Sequence, residues 1–211
     1  MSRARLVVVS ALAALAFVYF TVVRPWTMRW GATDEEVGRS LPGDSIVQMA
    51  DFHATRAITI DAPPEHVWPW LVQIGSGRAG WYTYDWIDNA RVPSADVIVP
   101  ELQHLDVGDL VPMVSGKDIG VWVKELEPER RMLWWDQKGE YSWEWMLDRV
   151  DENSTRLITR LRATFPPVLT PRMLYAVVAS TGDIVMIRKA LRGIKARAER
   201  VRSMSDVGVT P

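Results

Sequence analysis

Eighteen consecutive residues, Leu6 to Val23 (LVVVSALAALAFVYFTVV), carry no charge. As a helix rising about 1.5 Å per residue the run measures roughly 27 Å, close to the ~30 Å hydrocarbon core of a bilayer. Arg3, Arg5, Arg24 and Arg29 flank it, and Tyr19, Trp26 and Trp30 fall where aromatic rings meet headgroups. A cleaved signal, a buried soluble helix and an uncleaved anchor all begin from such a run. Its Ala-x-Ala sequences, Ala11–Ala13 and Ala14–Ala16, lie inside the apolar stretch and are followed by FVYFTVV, the wrong place for cleavage. The expectation is therefore a single-pass membrane anchor over residues 1–30. The flanking arginines balance, so the N-terminal amine tips the orientation towards N-inside and the domain outside the cytoplasm.

Residues 31–53 are acidic with Gly and Pro breaks, and read as a linker that wraps the domain or spaces it from the bilayer. Ala54–Ile60 alternates as a strand. Asp61-Ala62-Pro63-Pro64-Glu65 then forms a helix start. The helix His66–Ile74 carries Val67, Trp70, Leu71 and Ile74 on one face, with Pro69 removing a donor inside it. After GSGRAG a second helix is expected around Tyr82–Ala90. Five strands follow: Leu110–Val114, Val121–Leu126, Met132–Asp136, Tyr141–Val150 and Thr155–Phe165.

The last two strands fix their own pairing. Trp143, Trp145 and Leu147 share one face of the first, and Leu157, Leu161 and Phe165 one face of the second. Matching like faces needs a three-residue loop, Asp151–Asn153, with Asn153 at positive φ. Asp148 then faces Arg156 and Glu144 faces Arg160. The stripe Arg156, Arg160 and Arg162 is thus expected on a solvated outer face. Ile187, Leu191, Ile194, Ala198 and Val201 make the apolar stripe of a long final helix, with Arg and Lys over the rest. Ahead of it, MLYAVVA after Thr170-Pro171 is placed at a pocket entrance or in lipid. The helix-bearing domain spans 54–204, and 205–211 reads as a disordered tail.

Composition narrows the function. A formal net charge of -1 lacks the basic excess of a nucleic-acid grip, and Cys 0 removes thiolate chemistry and cysteine metal sites. His53, His66 and His104 are scattered without metal-ligand spacing. Gly75–Gly80 matches GxGxxG, yet no strand–helix alternation follows it, so it reads as a turn between helices. No catalytic residue, metal or cofactor is expected. Trp 11 is the unusual count.

The segments APPEHVW (Ala62–Trp68), GWYTYDWIDN (Gly80–Asn89), VGDLV (Val107–Val111), LEPERRMLWW (Leu126–Trp135) and IRKALRGIKARAER (Ile187–Arg200) resemble the START-like, polyketide-cyclase/dehydrase (SRPBCC) superfamily. That resemblance implies an α+β helix-grip fold, a curved antiparallel sheet wrapped round the long C-terminal helix with a cavity between. By parity Trp143, Trp145 and Leu147 face that helix with Leu161, and Trp122 joins them with one of Trp134 or Trp135 (Trp135 is taken). Trp81, Tyr82, Tyr84, Asp85 and Asn89 are the candidates for a polar rim that holds a ligand's head, with Asp88 sharing a helix side with Tyr84; the alternative, structural role has Asp85 and Asn89 tie the second helix to neighbouring loops through buried hydrogen bonds. The expected function is a membrane-tethered binding domain for an apolar, lipid-like or aromatic small molecule. A cyclase or dehydratase and a scaffold with a filled core are the alternatives.

Overall fold

A computed structural model describes residues 2–165 and 172–206, with side chains described over 2–165 and 180–203. Helical backbone runs unbroken through Arg3–Met28, with mean hydropathy 2.6 over its most apolar window and none of that window buried. By length and composition it can cross a membrane. Over Tyr19–Val23 it widens to π geometry. Pro25 accounts for this: it has no N–H to return to Thr21, and its ring crowds that carbonyl. The Arg24 N–H reaches back five residues to the Tyr19 carbonyl instead.

Among the described residues, six antiparallel strands form one sheet in the order β1-β6-β5-β4-β3-β2. They are β1 (Phe52–Ile60), β2 (Leu110–Pro112), β3 (Gly120–Glu127), β4 (Arg131–Trp135), β5 (Tyr141–Asp151) and β6 (Ser154–Ala163). The pairing of Asp148 with Arg156 and of Glu144 with Arg160 is present. The turn differs in detail. Asp151 pairs with Ser154, and the odd residue, Val150, is left in a bulge. Asn153 is not at positive φ, because the Asp151 carboxylate accepts its N–H at 2.7 Å and holds the turn instead.

The final helix, Arg172–Asp206, packs across one face of the sheet. Ile184, Ile187, Leu191, Ile194 and Ala198, each 5% exposed or less, share a core with Trp134, Trp145, Leu147 and Leu157. The α+β helix-grip architecture is therefore the observed one. The helix Pro64–Val72 closes the core, burying Val67, Trp70 and Leu71, with Ile74 just past its end.

The opposite face is not solvated, contrary to expectation. Residues 31–48, including the helix Asp34–Gly38 and a 3₁₀ turn at Pro42–Ser45, lie across it. Arg160, 3% exposed, donates to the carbonyls of Glu36, Val37 and Arg39 and pairs with Asp44 at 2.8 Å. Arg156 pairs with Glu36, and Arg162 donates to the Val47 and Gln48 carbonyls. These guanidiniums each carry five donors, enough to satisfy the carbonyls of a segment with little backbone pairing of its own. Gly43 fits between Glu144 and Leu133, where an added Cβ would come within 3.0 Å of both.

Candidate functional site

Between the inner sheet face and the final helix lies a half-open cavity of about 230 Å³. Its deep end is formed by Ile74, Trp81, Trp145, Ile187 and Ala190, all buried. Trp143 and Leu161, partly exposed, form its walls, and Thr83, Asp88, Met113, Tyr141, Asp183 and Met186 lie nearer the mouth. Strand parity gathers the indoles: Trp134 pairs with Trp143 across β4 and β5, and Met132 with Trp145. Trp81 stacks on Trp143 with centroids 5.8 Å apart and planes 5° from parallel, and Trp134 meets Trp143 edge-on at 5.4 Å. Such pairs add roughly 0.5–1.5 kcal/mol each beyond the area they bury. Trp143 donates its N–H to Thr159 Oγ1 at 2.7 Å, whereas the buried Trp134 and Trp145 N–H groups have no protein partner among the described residues.

Trp122 and Trp135 are corrections. They pair with each other on the outer face, and Lys124 sits over the Trp135 ring at 3.9 Å. The cause is a bulge between Val123 and Glu125. Counting by twos from the core-packed Leu126 puts Trp122 inside; the extra residue reverses the parity and turns Val121 and Val123 inward. Trp134, not Trp135, is the inward member of its pair. Leu147 faces inward but sits beyond the cavity lining.

The expected second helix shrinks to Asp85–Asp88. Tyr82 stands at φ 58, outside any helix, with its hydroxyl donating to the Trp70 carbonyl and accepting from Gln73 Nε2, both at 3.0 Å. Asp85 accepts from Ser94, and Asn89 joins Gly77 N–H to the Val92 carbonyl. Tyr84 lies under Lys189. These four brace the loop and do not line the cavity. The glycine turn before them is closed by reciprocal Gly75–Gly80 bonds of 3.1 and 3.0 Å and holds Trp81 in place. A Cβ on Gly80 would lie 2.4 Å from Ser94 Oγ.

The polar lining includes two carboxylates. Asp183 pairs with Arg56 at 2.5 Å, and Arg56, its side chain 2% exposed, also donates to the Thr27 carbonyl. Burial pushes Asp183 above the usual carboxylate range and outweighs the pull of Arg56. Burial likewise raises Asp88, reinforced by the Asp85 charge and opposed by the Thr83 hydroxyl that bonds it. Tyr141 is raised by burial and by the nearby Asp183. Sequence reasoning missed Asp183, although it sits one turn before Ile187 on the same stripe. It also missed Arg56, the lone cation in inward register between Ala54 and Ile58. Gln73, buried and bonded to Tyr82, Val97, Val99 and Gln103, carried no periodic signal.

No family model matches the chain, and no curated protein matches it. Among solved structures it is similar to the Polyketide_cyc-like protein Cgl2372 of Corynebacterium glutamicum (15% identity, TM-score 0.44, covering 72% of this chain and 92% of that one). It is also similar to the Zhui aromatase/cyclase of Streptomyces sp. R1128 (18% identity, TM-score 0.43, 71% and 94%). A third is the self-sacrificing resistance protein CalC of Micromonospora echinospora (11% identity, TM-score 0.40, 70% and 94%). Likenesses at this level leave chemistry open, so the reading of the cavity rests on its own residues.

Proposed function

We propose that this protein is a membrane-tethered binding domain for one small apolar molecule carrying a hydroxyl or amine. The observation that supports it most is the half-open cavity walled by Trp81, Trp143 and Trp145 with its polar groups near the mouth. Apolar clefts with a few placed polar groups are the usual form of a ligand site. Size sets the class: a cavity of about 150 Å³ holds benzene, so 230 Å³ suits one or two rings or a short chain, not a two-chain lipid. Charge sets the head group. Among the described residues the ionisable lining groups are Asp88, Asp183 and Tyr141, with Arg56 already engaged by Asp183; an anionic head would meet carboxylates, and a donor would meet acceptors.

Native mass spectrometry of the detergent-extracted full chain is expected to show an apolar adduct. Calorimetric titrations with 2-naphthol, 2-naphthylamine and 2-naphthoate should then rank the carboxylate at least tenfold weaker than the other two. Absence of any adduct together with no heat from all three naphthalenes would end the binding reading; equal affinity for naphthoate would end only the head-group assignment.

A second reading, acid–base catalysis on the bound molecule, is favoured by the raised Asp88 and Asp183 sharing one cavity lining with Tyr141. No hydrogen bond joins Tyr141 to either carboxylate among the described residues. Asp88→Asn separates the readings: a binder keeps its adduct unchanged in mass, whereas an enzyme accumulates an unconverted one.

A further inference from the structure

We propose that the Arg3–Met28 helix is a structural part of the cavity and holds its mouth against the bilayer, so that ligand is exchanged with lipid and not with water. This deepens the binding proposal and rests on reading Arg3–Met28 as a membrane span. A tether on a loose linker would leave the domain free to tumble. Here the last turns of the helix are built into the domain. Thr27 and Met28 are 3% and 8% exposed, and Met28 packs with Leu161, a cavity residue. Arg56 donates to the Thr27 carbonyl while holding Asp183. Trp30 receives the Ala57 N–H on its carbonyl and lies under the guanidiniums of Arg188 and Arg192.

Direction follows from two contacts. Tyr19 meets Ser180 at 2.7 Å, and Trp30 meets Arg188 and Arg192, so the anchor and the final helix run alongside each other in the same sense. Tyr19 is four residues, about 6 Å of rise, inside the end of the apolar run. Ser180 is therefore about 6 Å inside that end, and Asp183, about 4.5 Å further along the final helix, lies near the level of the acyl–headgroup boundary. Along the final helix back towards Ser180 the cavity lining opens: Ala190 and Ile187 are buried, whereas Met186 and Asp183 are partly open. The mouth thus points to the membrane end. Around the polar groups of the mouth stand exposed apolar side chains: Met113, Val114 and Ile119 at the β2–β3 turn, with Trp86 and Ile87 beside Asp88, are 37–69% exposed. A bilayer interface takes such side chains out of water.

The chain has Cys 0, so single cysteines at exposed positions give clean labels. Ile87→Cys and Val114→Cys mark the rim, and Val150→Cys marks the far end, where Arg202 of the final helix bonds the neighbouring hairpin, roughly 33 Å along the helix from Ser180. The full-length protein, labelled with a nitrobenzoxadiazole fluorophore, is reconstituted in phosphatidylcholine vesicles. Expected are blue-shifted emission and at least twofold stronger quenching by 5-doxyl-phosphatidylcholine at 87 and 114 than at 150. Equal quenching by aqueous iodide at all three sites overturns the proposal. The readout needs no ligand, so its failure is distinct from failure of the naphthalene titrations, and alkaline carbonate extraction tests the span itself.

Discussion

Trp145 and Trp122 are the same residue type two strands apart, and their surroundings give them opposite worth. Trp145 is 1% exposed among Trp134, Trp143 and Met132. Trp122 is half-buried on the outer face. Trp145→Ala is expected to cost about 3–5 kcal/mol in urea unfolding, because the void it leaves joins the existing cavity and only partly collapses. Trp122→Ala is expected to cost roughly 1 kcal/mol. Comparable losses at the two positions would contradict the bulge-reversed parity. The alternation of β5 was readable because nothing interrupts its pairing through the cavity region. The facing of β3 was not, because a bulge is a property of the paired ladder and leaves no mark on hydrophobic spacing alone.

At the scale of elements, the cover helix Asp34–Gly38 depends on charge. Burial pushes Glu36 up, and Arg156, the Thr33 N–H and the Thr33 hydroxyl together pull it further down, for a net lowering. A carboxylate lowered in the fold stabilises the folded state above its ordinary range, and that contribution fades as pH falls through about 4.3 and below. The protection factor for amide exchange over residues 34–45, the rate relative to the intrinsic rate at the same pH, is expected to fall severalfold between pH 5 and pH 3, ahead of the β5–β6 hairpin. Glu36→Gln should show the lowered protection already at pH 5. Simultaneous loss of cover and hairpin protection would mean the cover has no separate equilibrium. The acidic character of this segment was plain in the sequence, as were the arginines of β6. Their meeting required the chain to turn back across the sheet, which no local pattern specifies.

For the whole molecule, the junction between the Arg3–Met28 helix and the domain is expected to carry stability. Removing residues 2–18 deletes only exposed helix and is expected to leave the urea midpoint in detergent unchanged within error. Removing residues 2–31 also takes Met28, the Thr27 carbonyl and Trp30, strands the buried Arg56 without one acceptor, and is expected to lose about 2–4 kcal/mol. Equal stability of the two truncations would show that the anchor is only a tether.

Hydrophobic period and opposite-charge register were enough to determine the strands, the final helix, the pairing of β5 with β6 and a run apolar enough to cross a membrane, because each is set by neighbours near in sequence. The superfamily resemblance went as far as the helix-grip architecture. Only the tertiary structure decided which indoles face the cavity, that Asp183 and Arg56 meet there, and that residues 31–48 roof the other face. Those outcomes depend on a bulge, a buried ion pair between residues 127 positions apart, and a returning segment. Each is a non-local contact whose free energy exists only once the chain has closed upon itself.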